Sequence, residues 1–123
     1  MVRYLSDEWL ARADAALAGM EPPAPSLTVA FLVTGGPDGD RRWHVAFGPV
    51  AVRVGTDGGG APVTLIQGWD TARAVAQGRA SAQRAFLDGD IRLDGDVRAL
   101  LGHQGVLAAL EDRLAELRAE TEF

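Results

Sequence analysis

The sequence predicts one α+β domain in which a five-stranded, largely antiparallel sheet is covered by helices. Between residues 27 and 67, apolar and polar side chains alternate with a period of two, and glycine-rich turns interrupt the alternation. Before and after this stretch, apolar residues recur at helical spacing. The chain of 123 residues has the usual size of one domain, so we expect a single domain over 1–123.

The first helix is expected to begin after Ser6, because a serine hydroxyl suits the N-cap position. Asp7 and Glu8 would then complement the helix dipole. Apolar residues follow at helical spacing, namely Trp9, Ala13, Ala16, Leu17 and Met20. The segment 21–25 contains three prolines, which end the helix and lead to the sheet.

Five strands are expected. The first three lie near 27–34, 41–47 and 50–54, and the short turns between them favour an antiparallel meander. A fourth strand is predicted at 63–67, and a fifth short strand contains Ile91 and Leu93.

The second half of the chain is mainly helical. Asp70, Ser81 and Asp96 are each predicted to cap the N-terminus of a helix. The last helix, after 102–105, has a charged face and a single apolar stripe, formed by Leu107, Leu110, Leu114 and Leu117. This stripe must pack against the rest of the domain.

Composition and charge exclude several classes of function. The net charge is −5 and the arginines are scattered, so neither a nucleic-acid partner nor tight binding to an anionic membrane is expected. The chain has no cysteine, which excludes disulfides and thiol chemistry. No apolar run suits a signal peptide or a membrane span, so we expect a cytoplasmic protein without stable membrane insertion.

We found no pattern that predicts a catalytic residue, a metal site or a cofactor. His44 and His103 are the only histidines, and neither has a partner at metal-ligand spacing. The serines lie outside any nucleophile turn, and the glycine clusters miss the spacing of phosphate loops. The segment 90–95 faintly suggests a calcium loop, but Arg92 stands where an oxygen ligand is needed.

Residues 61–101 contain an ordered motif. A strand is followed by a helix that ends at Gly78, then by the Ala85-Phe86 helix, Gly89 and a short strand that ends at Gly95-Asp96. This arrangement resembles the sterol carrier protein type-2 domain. The chain would then be a stand-alone bacterial member, because its last four residues lack the peroxisomal address of some relatives.

The resemblance implies an apolar cavity between sheet and helices. A fatty acid, a sterol or another lipid would bind there and be transferred without chemistry and without a cofactor. The predicted pocket combines the apolar strand faces, the signature helix and the last helix, with Phe31, Val33, Trp43, Val45, Phe47, Leu65, Trp69, Phe86, Leu93, Leu107, Leu110, Leu114 and Leu117.

Two other classes of function stay open. One is a small enzyme, an isomerase or cyclase of a hydrophobic polycyclic substrate, that uses His44 or a buried carboxylate such as Asp94. The other is a protein-interaction module in which the pocket is collapsed. The sequence leaves the identity of the ligand, the pathway and the oligomeric state open.

Overall fold

The computed structural model describes residues 1–22, 26–57, 60–101 and 105–123. Seven strands and six helices are found in these residues. In chain order they are β1 (Val2–Arg3), α1 (Asp7–Leu17), β2 (Leu27–Gly36), β3 (Gly39–Phe47), β4 (Val52–Gly55), β5 (Val63–Gly68), α2 (Trp69–Ala76), α3 (Ala82–Leu87), β6 (Ile91–Gly95), α4 (Val97–Leu101), α5 (Val106–Arg113), α6 (Ala115–Ala119) and β7 (Thr121–Glu122).

Five of the strands form the main sheet, in the order β4-β3-β2-β5-β6. All neighbours are antiparallel except β2 and β5, which are parallel. The predicted α+β class, the five-stranded largely antiparallel sheet and the antiparallel meander of β2, β3 and β4 are therefore confirmed.

One face of this sheet is buried along its whole width. Phe31 of β2 lies opposite Trp43 of β3 and Leu65 of β5, so the three side chains share that face. All three are nearly inaccessible to solvent. The first helix packs against the β4 side of the sheet and buries its own stripe there, which consists of Trp9, Leu10, Ala13 and Leu17.

Three predicted helix caps are confirmed by side-chain hydrogen bonds. The hydroxyls of Ser6 and Ser81 accept from the backbone N–H groups of residues 9 and 84, both at 3.2 Å. The carboxylate of Asp96 accepts from the N–H of Arg98. The predicted cap at Asp70 is wrong, because α2 begins at Trp69 and its N-cap is Gly68. Asp70 instead lies in the first turn, where its charge still complements the helix dipole.

The last helix is not continuous. Leu114, with φ −89° and ψ 2°, ends α5 and begins α6, so the expected stripe of leucines is divided between two short helices. These backbone angles lie outside the helical region, so the chain bends at this residue.

The two short strands β1 and β7 pair in parallel and hold together the two ends of the described chain. The N–H of Val2 donates to the carbonyl of Glu120, and the N–H of Tyr4 donates to that of Glu122. The sequence does not predict this terminal clasp, because two residues are too few to show a period. Within the described residues, no helix has the length and apolar character needed to cross a membrane.

Asp14 of α1 covers the exposed edge of β4. Its carboxylate accepts a 2.8 Å hydrogen bond from the N–H of Val54 and a 3.0 Å hydrogen bond from Nε of Arg53. Burial raises the pKa of Asp14, but the hydrogen bonds from Val54 and Arg53 outweigh it, so the pKa lies below its ordinary value of 3.8. Because the N–H of Val54 is occupied, it cannot pair with another strand at this point of the edge.

The Asp14 hydrogen bonds should stabilise the fold only while the carboxylate is ionised. Because the pKa is lowered by folding, this contribution is complete above the unfolded-state pKa and is lost as the pH falls through the lower folded-state pKa. We expect Asp14→Asn to reduce the free energy of unfolding by about 1 kcal/mol at neutral pH. Urea denaturation from pH 7 to pH 2 should show the difference from wild type shrinking in acid, and a constant difference would contradict the argument.

Candidate functional site

A cavity of about 110 Å³ lies between the buried face of the sheet and the helices that follow it. Its floor comes from the strands, with Phe31, Trp43, Leu65, Gln67 and Ile91. Its roof comes from α2, α3 and α5 and the break after α5, with Ala72, Val75, Ala76, Ala82, Leu110, Glu111 and Leu114. The chain near both termini and in α6 completes the wall, with Tyr4, Trp9, Arg118, Thr121 and Phe123.

Aromatic rings form a continuous part of this wall. Phe31 and Trp43 are stacked, with ring centroids 4.4 Å apart and planes at 17°. Trp9 meets Trp43 edge to face at 5.6 Å, and Tyr4 meets Trp9 in the same way at 5.2 Å. Phe123 contacts Tyr4 at 5.1 Å. The stacked and the two edge-to-face contacts have favourable aromatic geometries and Phe123 adds a tilted contact, so the rings hold one another in place.

Thr121 fixes Trp9 within that wall. The indole N–H of Trp9 donates to Oγ1 of Thr121 at 3.1 Å, and the Thr121 hydroxyl donates to the carbonyl of Leu117. Thr121 is only 4% exposed, so water does not replace these bonds. The β1–β7 clasp therefore positions a side chain of the cavity.

Other polar atoms on the wall have no such partner. The indole nitrogen of Trp43, Oε1 of Gln67 and Nε of Arg118 are each buried and have no hydrogen-bond partner among the described residues. Glu111 is the acidic group of the wall. Burial raises the pKa of Glu111 and the nearby Asp112 adds to the effect, while the Arg118 guanidinium opposes it.

Five of the predicted pocket residues line the cavity, namely Phe31, Trp43, Leu65, Leu110 and Leu114. Four others are buried in the core without reaching it, namely Val33, Val45, Phe47 and Leu117. Leu93 is half-buried and packs against that core. The side chain of Leu107 lies outside the described residues.

Two aromatic residues of the predicted pocket lie outside the cavity. Trp69 lines a neighbouring groove together with Arg3 and Pro37. Phe86 is 45% exposed, because α3 presents Ala85 to the core instead. A helix of six residues is too short for its apolar periodicity to show which side faces inward. The expectation for Phe86 therefore depended on the motif alone.

The cavity is also lined by residues that the sequence pattern did not indicate. Trp9 was assigned only to its helix, and Tyr4 and Phe123 lie in or beside the unexpected clasp. A signal did exist for Gln67, which continues the alternation of Val63 and Leu65 onto the buried face. Because glutamine is polar, Gln67 was not expected among the apolar residues of the pocket.

The residues considered for catalysis do not meet in the cavity. His44 lies on the opposite face of β3, where its ring packs over Gly55 and Nδ1 is 2.7 Å from the carbonyl oxygen of Asp57. Asp94 is exposed on β6. His103 lies outside the described residues. No cluster of three or more potential metal ligands occurs in the described parts of the chain.

Comparison with solved structures shows the fold. A possible sterol carrier protein from Thermus thermophilus superposes with a TM-score of 0.69 and 16% identity, over 94% of this chain and 90% of that one. A sterol carrier protein 2 superposes with a TM-score of 0.69 and 15% identity, over 90% of this chain and 96% of that one. The palmitated SCP2L2 of Aedes aegypti gives 0.55 and 19% identity, over 88% of both chains.

The same fold also occurs inside a larger enzyme. The sec-alkylsulfatase Pisa1 of Pseudomonas sp. matches 76% of this chain with a TM-score of 0.53 and 20% identity, but only 15% of the sulfatase chain is covered. No family model and no curated protein matches the sequence. The chain therefore has the sterol carrier protein fold, and the resemblance that the sequence predicts is confirmed as a likeness of fold.

Removing the Thr121 hydroxyl should loosen the cavity wall at Trp9. We expect Thr121→Val to lower the free energy of unfolding by about 1–3 kcal/mol, because it leaves the buried Trp9 N–H without an acceptor. Thr121→Ser retains the hydroxyl and is the matched control, with an expected loss of about 1 kcal/mol or less. Equal losses in urea denaturation of the two variants would show that the hydrogen bonds contribute nothing.

Proposed function

We propose that this protein binds an apolar ligand, a fatty acid, a sterol or another lipid, in the cavity between its sheet and helices and carries it without chemical change. The observation that supports the proposal most is the cavity itself. Its wall is mainly aromatic and aliphatic, and the aromatic rings hold one another in a fixed arrangement. A concave apolar site with a few polar atoms is typical of small-molecule binding.

The structural neighbours support the same class of ligand. Sterol carrier proteins are among the proteins of similar fold, and one of them is palmitated. The identities are below 20% for these neighbours, so the choice among lipids must come from this chain's own cavity.

The chemistry of the wall favours carriage over catalysis. Among the described lining residues, the ionisable side chains are those of Tyr4, Glu111 and Arg118. Burial raises the pKa of Tyr4, so its phenol stays protonated at neutral pH, and it donates to the carbonyl of Ala72. Neither His44 nor Asp94 faces the cavity, and Glu111, the carboxylate among the described lining residues, is exposed to solvent.

A long-chain lipid requires the cavity to enlarge. Its volume of about 110 Å³ is below the roughly 300–1,000 Å³ of typical ligand pockets. The sheet is fixed by its hydrogen-bond ladders, whereas part of the roof is formed by the short helix α5 and the bend at Leu114. We infer that α5 and α6 move away from the sheet when the ligand is loaded.

A substitution that fills the cavity tests the site. Ala76 of α2 lines the cavity, whereas Ala74 of the same helix does not. We expect Ala76→Leu to weaken binding of palmitate or cholesterol at least about tenfold, because its added methyl groups occupy the ligand's space. Ala74→Leu makes the same change outside the cavity and should retain wild-type affinity.

Quenching or enhancement of tryptophan fluorescence measures this affinity, since Trp9 and Trp43 both line the cavity. Native mass spectrometry of the purified protein identifies any lipid that remains bound. If neither palmitate nor cholesterol binds to wild type, or if both leucine variants bind equally well, the cavity is not the binding site.

Movement of the roof should be visible in hydrogen exchange. We expect amides of α5 and α6 to open at a lower free energy than those of β2, because β2 is paired on both sides within the sheet. Bound palmitate should slow exchange in α5 and α6 while leaving β2 unchanged. Exchange that is equally slow in the helices and in β2, with and without palmitate, would contradict the opening of the roof.

A further inference from the structure

Two residues of the cavity floor, Trp43 and Gln67, each carry a buried polar atom whose hydrogen-bonding capacity is unused. The indole N–H of Trp43 and the amide oxygen of Gln67 are buried and have no partner among the described residues. Trp43 as a whole is only 5% exposed. Buried polar groups in proteins are nearly always paired, so an exception inside a cavity needs an explanation. Trp9, in the same wall, has its N–H paired with Thr121.

These two atoms have different requirements. The indole N–H can only donate, and the amide oxygen can only accept. Their residues lie at separate points of the floor, because Trp43 is opposite Phe31, Phe31 is opposite Leu65, and Gln67 is two residues beyond Leu65. A hydrocarbon ligand would leave both atoms without a hydrogen-bond partner.

We propose that Trp43 and Gln67 select ligands that bear a hydroxyl group on the buried part of the molecule. This inference rests on the proposed binding of an apolar ligand in the cavity. A hydroxyl both donates and accepts, so it can pair with either atom. A carbonyl only accepts, so it can pair with Trp43 and not with the amide oxygen of Gln67.

An ionised ligand group fits this floor less well than a hydroxyl. Arg118 is the cation among the described lining residues; it lies on the wall and not on the floor, its Nε is buried without a partner among the described residues, and its charge lowers the pKa of the nearby Glu111. A ligand carboxylate placed there would be repelled by Glu111, and burying its charge is costly. The preferred ligand is therefore an apolar alcohol, and straight-chain alcohols and sterols share this chemistry.

Three ring compounds of one skeleton provide the test. Cyclohexanol, cyclohexanone and cyclohexane are close in size to benzene, which a dry apolar cavity of similar volume can hold. Their affinities for wild type, Gln67→Leu and Trp43→Phe are measured by amide chemical-shift titration. Each free compound has the same hydration whichever protein it binds. Differences in hydration therefore cancel when a ratio of affinities is compared between proteins.

Gln67→Leu should lower the ratio of alcohol to ketone affinity by roughly 2- to 10-fold, since only the alcohol donates to the amide oxygen. Trp43→Phe should lower the ratio of ketone to hydrocarbon affinity by roughly the same factor. Gln83→Leu is the matched control on the exposed side of α3, and it should leave both ratios unchanged.

The melting temperature gives an independent readout. Gln67→Leu should melt no lower than wild type, because an apolar side chain replaces a buried unpaired amide. A lower melting temperature would show that the Gln67 amide is already satisfied in the protein and would overturn its role as a ligand-binding group.

The binding results separate the inference from the function on which it rests. If ligands bind but both ratios are the same in every variant, hydroxyl selection is wrong and lipid binding stands. If wild type binds neither these compounds nor palmitate or cholesterol, both proposals fail. Hexadecanol and cholesterol, compared in the same variants, distinguish the two alcohol sources. Weaker binding of either by Gln67→Leu supports the inference, and unchanged binding of both overturns it.

Discussion

The buried face of the main sheet is wider than any one helix of this chain can cover, and the rest of the architecture follows from that constraint. The face extends across five strands, from Val52 at one edge to Ile91 at the other. The eleven-residue α1 covers the β4 side. Over β2, β5 and β6, coverage depends on helices of eight residues or fewer. Short helices leave space between their side chains and the sheet, and the cavity lies there.

Strand order also places the cavity. The parallel pairing of β2 with β5 sets Leu65 beside Phe31, which on its other side lies opposite Trp43. The floor therefore combines side chains that are distant in sequence but adjacent in register. The stacked rings of Phe31 and Trp43 hold each other on the floor, on the side that faces the cavity.

The sequence predicted the sheet well because the patterns that indicate a strand or a helix cap lie within a few consecutive residues. Alternation in β2 and β3 determines the buried face, and the side-chain caps at Ser6 and Ser81 depend on contacts within one helical turn. The terminal clasp depends instead on residues 2–3 meeting residues 121–122, and no periodicity encodes such a contact.

Only part of the cavity wall was predicted, because the rest depends on contacts between residues that are distant in sequence. Phe31, Trp43 and Leu65 could be inferred from strand faces, whereas Tyr4 and Phe123 reach the cavity only through the clasp. The bend at Leu114 was missed because the spacing of the leucines remains helical across it. The sequence pattern indicates which side chains are apolar and buried, but the space left between them depends on tertiary packing.

The parallel direction of the clasp has a mechanical consequence. Since β1 and β7 run the same way, a load applied at residue 1 and residue 123 pulls the two strands along their length in opposite directions. The hydrogen bonds between them then share the force and must break together, instead of opening one after another as in a zipper. Tyr4 and Phe123 flank these bonds and contact each other in the cavity wall, so tension on the chain would be felt first where the ligand is proposed to bind.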